Sequence, residues 1–264
     1  MLEIKDSVAV ITGGARGIGF AIAQHWIKQG GKVVIGDILV DILKEAEQKL
    51  KAMGGQVATV VCNVTKEEDC AKLADTAIDK FGKINLVVPS AGIIKDGMMV
   101  SPDKATGKVK SKMSLDQFKM VIDINLTGVF LTIRECAERM INNKCKGLIC
   151  LISSTGSLGT AGQINYSSTK AAVSVIPKVI TAEFMRRGLG GQIRCVAIAP
   201  GYVNTDILKN MDQGALAKIT ADIPIGRLIE PEEIAQLAAD LYKNEGLAGE
   251  VYFCSGGLRL GSRG

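Results

Sequence analysis

The sequence predicts an α/β protein, with a parallel sheet of about seven strands, doubly wound, and helices on both faces. Three observations carry this. Short apolar, β-branched runs alternate with longer stretches of helical periodicity, as in a sheet buried on both sides. A glycine-rich turn joins the first such run to the first helix. The 264 residues contain no repeat, low-complexity tract or linker, and their 47% hydrophobic content suffices for one core, so one domain spanning 1–264 is expected.

The elements follow in order. Ser7 to Thr12 (SVAVIT) is the first strand, and it enters Gly13-Gly14-Ala15-Arg16-Gly17-Ile18-Gly19. The following stretch has helical periodicity and stops at Gly30-Gly31. Strand, glycine turn and helix form the arrangement in which backbone N–H groups and a helix N-terminus hold a pyrophosphate. The second strand, Lys32 to Asp37, ends in a carboxylate eighteen positions beyond Gly19. There it can accept hydrogen bonds from an adenosine ribose and repel a 2′-phosphate, which points to NAD(H) over NADP(H). Arg16, a guanidinium in the turn, argues the other way, and Asp37 is given more weight. Alternation continues with a helix over Val40 to Met53, a strand over Gln56 to Cys62, a helix over Lys66 to Phe81 and a strand over Ile84 to Val88. Asn63-Val64 and Ser90-Ala91-Gly92 stand at strand ends, where an open α/β sheet places ligand contacts.

The pattern lapses between Ile94 and Met113, where five lysines lie between Lys95 and Lys112. This reads as a surface excursion over 95–113, not a domain boundary. Two accounts stay open: a solvated loop, or a positive lip on a cleft that attracts an anionic or phosphate-bearing substrate. Helix returns at Ser114, and Asn125 sits in mid-helix despite being a poor helix former. A further helix covers Val129 to Asn142, and Lys146 to Ile152 is the fifth strand of the sheet. The long helix from about Asn165 to Arg187 contains Pro177, where a kink or a local loss of the bond to Val173 is expected. Gln192 to Ala199 is the sixth strand, running into Pro200-Gly201-Tyr202-Val203-Asn204-Thr205. The mixed segment at about 204–222 suits a substrate lid. Pro231-Glu232-Glu233 opens a helix with proline in its first turn and acids at the positive end of its dipole, and Glu250 to Cys254 is the last strand, before a basic tail.

The chemistry concentrates between Ser153 and Lys170. Tyr166 and Lys170 are four apart, so a helix stacks phenol and ammonium on one face. A free phenol ionises near pH 10, and a neighbouring ammonium is expected to lower that toward the working range. Ser153, thirteen residues before Tyr166, is the expected partner in holding a substrate oxygen. The seven cysteines are scattered without a C-x-x-C pair and His25 is the only histidine. This argues against a disulfide framework and against a metal site. The net charge of +5 is modest, aromatics are few and no basic helix stands out, which argues against nucleic-acid binding. No apolar run of membrane-spanning length and no apolar leader are present, so a cytoplasmic protein is expected.

With these segments in place the chain resembles the short-chain dehydrogenase/reductase family over essentially its full length. The matching motifs are TGGARGIG at 12–19, NL at 125–126, Ser153, YSSTK at 166–170 and PGYVNT at 200–205. NYSSTKAA and IPIGRLIEPEEIA at 223–235 look most like the β-ketoacyl-(acyl-carrier-protein) reductase branch. The resemblance implies a Rossmann-type fold and an NAD-dependent oxidoreductase interconverting a secondary alcohol and a ketone, with a 3-oxoacyl thioester as a candidate substrate. It implies Tyr166 as the acid-base group, Lys170 tuning it and holding the nicotinamide ribose, Ser153 polarising the carbonyl and Asn125 supporting a water relay. It gives main-chain groups near Ile18, Val64 and Gly92, and the Thr205 hydroxyl, to the cofactor, Gln163 to the substrate, and suggests a homotetramer. Ser90 and Asn63 depart from the family's usual asparagine and aspartate, and Asp37 is atypical of the biosynthetic reductases, which mostly use NADPH. The alternatives are a dehydrogenase for a small or cyclic alcohol and, from another class, a non-catalytic NAD-binding scaffold or redox sensor. Too little chain follows Thr205 for a two-domain epimerase.

Overall fold

The computed structural model describes residues 1–205, 208 and 212–258. Seven strands form one parallel sheet: β1 (Val8–Thr12), β2 (Lys32–Asp37), β3 (Gln56–Val61), β4 (Leu86–Pro89), β7 (Gly147–Ile152), β8 (Ile193–Pro200) and β9 (Val251–Cys254), in the order β3-β2-β1-β4-β7-β8-β9. All seven are within two residues of their expected bounds. The apolar runs obey the two-residue period of a strand and feed two cores at once. Ala9 and Ile11 of β1, Cys150 and Ile152 of β7, and Val196 and Ile198 of β8 face one side. Val8 and Val10, Ile149 and Leu151, and Cys195 and Ala197 face the other.

The first face is covered by α1 (Gly17–Lys28), α2 (Val40–Ala52) and α8 (Pro231–Lys243). Trp26 of α1 meets Tyr242 of α8 edge to face, with ring centroids 4.8 Å apart. His25 lies on α1 beside α8, its pKa lowered by burial and by Lys243. The second face is covered by α3 (Glu67–Phe81), α5 (Gly128–Asn142) and α6 (Ile164–Arg186). The α6 helix runs unbroken through the buried Pro177, so the ring removes one N–H without ending the helix.

Local structure refines two expectations. The lysine-rich excursion is not a plain loop: β5 (Val100–Pro102) and β6 (Val109–Lys112) pair as an antiparallel hairpin. Its root is tied by a bond from Met113 N–H to the Met99 carbonyl at 3.1 Å. Its turn is held by Asp103, whose carboxylate accepts from the Ala105 and Thr106 N–H groups. Helix α4 (Leu115–Ile122), capped by Ser114, does not pass straight through Asn125 but opens into one π-turn over Asp123–Thr127. Such turns widen the helix to present a particular side chain, and here Asn125 is fully buried. The proposed lid falls partly on 206, 207 and 209–211, outside the described residues; the described part includes α7 (Gln213–Ala221). The expected basic tail, from 259 onward, also lies outside them. No helix among the described residues is long and apolar enough to cross a membrane, and no group of three metal-ligating side chains is found among them.

Candidate active site

The strands are parallel, so Thr12, Asp37, Asn63, Ser90, Ser153 and Pro200 all stand at or just beyond the same edge of the sheet. The chain turns outward in opposite directions from β1 and β4, and the crevice of an open α/β sheet lies there.

The β1 side of the crevice is built of backbone. Gly13 has φ +61°, and a Cβ on it would stand 2.8 Å from the Ala91 Cα and N; one on Gly19 would stand 2.4 Å from the Gly13 carbonyl oxygen. Neither position has room for a side chain. Gly17, at φ +56°, starts α1 after Arg16, with the Thr205 methyl 3.5 Å from where its Cβ would be. The turn therefore closes tightly over the N-terminus of α1, with Thr205 against it, a cradle suited to a dinucleotide pyrophosphate. Ile18 lies in the first turn of that helix. Asp37 accepts from the Leu39 N–H at 3.2 Å, and the residues beside it are the exposed Ile38, Leu39 and Val40. Asn63 Oδ1 accepts from the N–H and hydroxyl of Thr65, so the oxygen of this amide is engaged locally. Val64 is buried against Gly128. Ser90 donates its N–H to the Thr12 and Val88 carbonyls, Ala91 follows against Gly13, and Gly92 lies 3.3 Å, by its Cβ position, from Asn125 Oδ1. Asn125 bonds the Ile93 backbone both ways, N–H to Oδ1 and Nδ2 to carbonyl, each at 2.9 Å. Beyond β8, Gly201 packs on Ser255 and Val203 bridges Ile229, which brings the 200–205 turn back to the crevice.

The β7 side is built of side chains. Tyr166 and Lys170 sit in the first turns of α6, and the Lys170 Nζ lies 5.6 Å from the phenol ring centroid. Lys170 is buried and donates to the Ile152 carbonyl at 2.8 Å. Burial lowers its pKa to about 8. The phenol of Tyr166 behaves differently from the sequence expectation: burial pushes its pKa up, a hydrogen bond with Ser154 opposes this, and the Asp96 charge adds to the rise. The ammonium is turned to the Ile152 carbonyl.

The expected Ser153 and its neighbour Ser154 direct their hydroxyls to different places. Ser153 is still on the sheet, its N–H bonded to the Ile198 carbonyl at 2.7 Å. Its hydroxyl points back into α6, 2.7 Å from the Ser174 hydroxyl and 3.0 Å from the Lys170 carbonyl. The next side chain of a pleated chain points the other way, and Ser154 is the one that reaches Tyr166. Its Oγ accepts from the Gly156 N–H at 3.0 Å. A Cβ on Gly156 would lie 3.2 Å from Ser154 Oγ, 3.3 Å from Tyr166 Cε1 and 3.5 Å from Gln163 Oε1, so these three groups surround one point. Counting thirteen residues back from Tyr166 selects Ser153 only if the loop has one fixed length. The pleat is the signal that separates neighbouring serines.

Sequence reading missed three more residues at this mouth. Asp96 accepts from Gln163 Nε2 at 2.9 Å. Asn165, fully buried, bonds the Tyr166 N–H and the Lys95 carbonyl. Gln117 reaches from α4 to the Lys95 and Asp96 carbonyls. Asn165 stands beside Tyr166 in the motif, which could have flagged it; Gln117 carried no comparable signal.

Comparison with known proteins bears on this arrangement. The 3-oxoacyl-[acyl-carrier-protein] reductase of Synechocystis sp. is 31% identical over 262 residues, covering 98% of this chain and 99% of that protein. The reductase of the same name from Thermotoga maritima is 30% identical, covering 97% and 99%. A solved 7α-hydroxysteroid dehydrogenase, in complex with NADH and 7-oxo glycochenodeoxycholic acid, superposes with a TM-score of 0.85 at 28% identity, covering 97% of this chain and 95% of that one. The family model for short chain dehydrogenases matches residues 7–215. The glycine cradle, the parallel sheet and the Tyr166–Lys170 helix thus belong to one inherited design, and the chain is a member of the short-chain dehydrogenase family, an oxidoreductase that interconverts a secondary alcohol and a ketone.

Proposed function

We propose that this oxidoreductase uses NAD(H) and acts on a 3-oxoacyl thioester and its 3-hydroxyacyl counterpart, with Tyr166 as acid-base group. The observation that carries the catalytic assignment is the gathering of the Ser154 hydroxyl, the Tyr166 ring edge and the Gln163 amide around Gly156, beside Lys170. Ser154, in place of Ser153, holds the substrate carbonyl oxygen. Gln163 flanks the substrate on the other side of Gly156. Tyr166 gives its proton to that oxygen in reduction and recovers it in alcohol oxidation. The raised phenol pKa keeps Tyr166 protonated at neutral pH, the form that reduction requires. Lys170, positioned by the Ile152 carbonyl, holds the nicotinamide ribose and stabilises the phenolate left after proton transfer. Asn125 fixes the Ile93 backbone at the crevice floor and supports proton resupply toward Lys170. When bound, the nicotinamide supplies or accepts the hydride.

The residues of the β1 side fit that cofactor: Gly13, Arg16, Gly17, Ile18 and Gly19 around the pyrophosphate, Asn63 and Val64 toward the adenine, Ser90, Ala91 and Gly92 along the ribose, and Pro200, Gly201, Val203 and Thr205 at the nicotinamide end. The preference for NAD(H) rests on Asp37 together with Ile38-Leu39-Val40, a run without a cation to meet a 2′-phosphate. The thioester rests on the substrate class in the names of the reductases from Synechocystis and Thermotoga. A homotetramer is supported by apolar side chains left half exposed on α5 and α6, among them Phe130, Val175 and Val179. A cytoplasmic site of action agrees with seven free thiols.

The test is steady-state oxidation of NADH and of NADPH with acetoacetyl-CoA. NADH turnover with the thioester is the expected result. Activity confined to NADPH overturns the cofactor assignment to Asp37, and turnover of another neutral ketone with an inert thioester overturns the substrate.

A further inference from the structure

The segment Lys95 to Gly97 is fastened across the mouth of the site. The Lys95 carbonyl accepts from Asn165 Nδ2 at 2.9 Å and from Gln117 Nε2 at 3.0 Å, the Asp96 carbonyl accepts from the same Gln117 amide at 3.0 Å, and the Gly97 N–H donates to the Gly162 carbonyl at 2.8 Å. Asp96 is therefore held by its backbone. Its side chain is held as well, because Oδ2 accepts from Gln163 Nε2. The other end of that amide, Oε1, is one of the three groups around Gly156 with Ser154 Oγ and the Tyr166 ring. A carboxylate thus stands across one side-chain amide from the pair that receives the reacting carbonyl.

The charged groups around Tyr166 are few. From its own helix comes Lys170, engaged with the Ile152 carbonyl. From the segment after β4 comes Asp96, whose charge reaches the phenol. The turn after β7 offers the neutral Ser154, α4 the neutral Gln117, the start of α6 the neutral Gln163 and Asn165, and the π-turn the neutral Asn125. The four lysines of the hairpin, at 104, 108, 110 and 112, are exposed and lie beyond this segment in the chain. Lys95, next to Asp96 in the chain, is exposed. The reacting atoms therefore stand between two charges of opposite sign, the Lys170 ammonium on the inner side and the Asp96 carboxylate at the mouth.

We propose that Asp96 is a specificity-determining residue, a fixed negative charge that excludes substrates with an anionic group beside the reacting carbonyl and so separates 3-oxo thioesters and esters from free 3-oxo acids. In a free 3-oxo acid the carboxylate lies two bonds from the ketone carbon, and binding brings it toward Asp96; in an ester or thioester that position is neutral. Like charges at this range in a half-exposed mouth are worth about a tenfold change in discrimination. The inference rests on Tyr166 and Ser154 marking the reacting carbonyl, as proposed above.

The test compares kcat/KM for ethyl acetoacetate and acetoacetate, with NADH, in the wild type and in Asp96→Asn. The asparagine retains an acceptor for Gln163 and so keeps the segment pinned, which an unchanged melting temperature verifies. The wild type is expected to prefer the ester, and the substitution to reduce that preference about tenfold, mainly through KM of the acid. An unchanged ratio overturns the proposal. A second measurement needs no turnover: ionisation of Tyr166, followed by phenolate absorbance as a difference against Tyr166→Phe, is expected to move to lower pH in Asp96→Asn. No movement overturns the proposal whatever the substrate proves to be. Failure of the thioester reading looks different, with acetoacetyl-CoA and the ester both inert in the wild type while the titration still shifts.

Discussion

The two walls of the crevice are made of different materials. On the β1 wall, glycines 13, 17 and 19 let backbone meet backbone, and any added carbon at 13 or 19 collides with main chain. On the β7 wall, Ser154, Gln163, Tyr166 and Asp96 arrive from three separate segments and are joined by side-chain hydrogen bonds. A wall of backbone recognises one constant ligand and cannot be adjusted without being broken. A wall of side chains is adjustable residue by residue, so substrate preference can drift there while the cofactor site stays fixed.

Three substitutions separate the walls, and the first has the largest expected effect. Ser154→Ala removes the hydroxyl that meets Tyr166 and is expected to lower kcat about 10²- to 10³-fold, the usual loss of one donor to a developing oxyanion. Ser153→Ala, by contrast, removes only a buried bond to Ser174 and the Lys170 carbonyl. It is expected to cost about 1–2 kcal/mol of stability in denaturant titration and to leave kcat within a few-fold. The reverse pattern would restore Ser153 to the site. Gly19→Ala tests the other wall. A Cβ 2.4 Å from the Gly13 carbonyl forces the turn apart, and about 1–3 kcal/mol of overpacking strain is expected. Weaker NADH binding, read by fluorescence titration, should exceed any change in substrate preference.

A fourth effect concerns Lys170 and pH. Its native pKa is lowered from 10.5 to about 8 by burial. Below pH 8 the folded and unfolded chains both carry the proton, and the full cost of burying the ammonium is present. Between about 8 and 10.5 the unfolded chain holds a proton that the folded one has released, so this contribution makes stability rise with pH, by a few kcal/mol at most. Lys170→Met should lack that rise. Melting curves of both proteins across this window should diverge, and parallel curves would mean that the ammonium is not desolvated.

The same contrast explains what could be read from the sequence. The strand at Val8 to Thr12 and the glycine turn announce themselves, because a buried parallel strand needs an apolar run and a tight turn needs missing side chains. Tyr166 and Lys170 were legible through helical spacing. Ser154 was not, since a residue count cannot say which of two adjacent serines a pleat turns toward the crevice. Asp96 was hidden among lysines, and its position depends on Asn165, Gln117 and Gly162, none of which is near it in sequence. The π-turn at Asn125 was signalled only as an ill-suited helix residue. The hairpin escaped notice because Val100–Pro102 and Val109–Lys112 are short, exposed and lack alternation.

That hairpin has a practical consequence. Its root is closed by the Met99–Met113 bond, and Asp96 is pinned separately by bonds to Asn165, Gln117, Gln163 and Gly162. The tip is therefore mechanically insulated from the catalytic mouth. Lengthening a surface loop costs little, about 0.6 kcal/mol for each doubling, so residues 103–108 form a natural graft point at which a binding peptide, an affinity handle or a fluorophore can be carried a short distance from the substrate entrance while turnover proceeds beneath it.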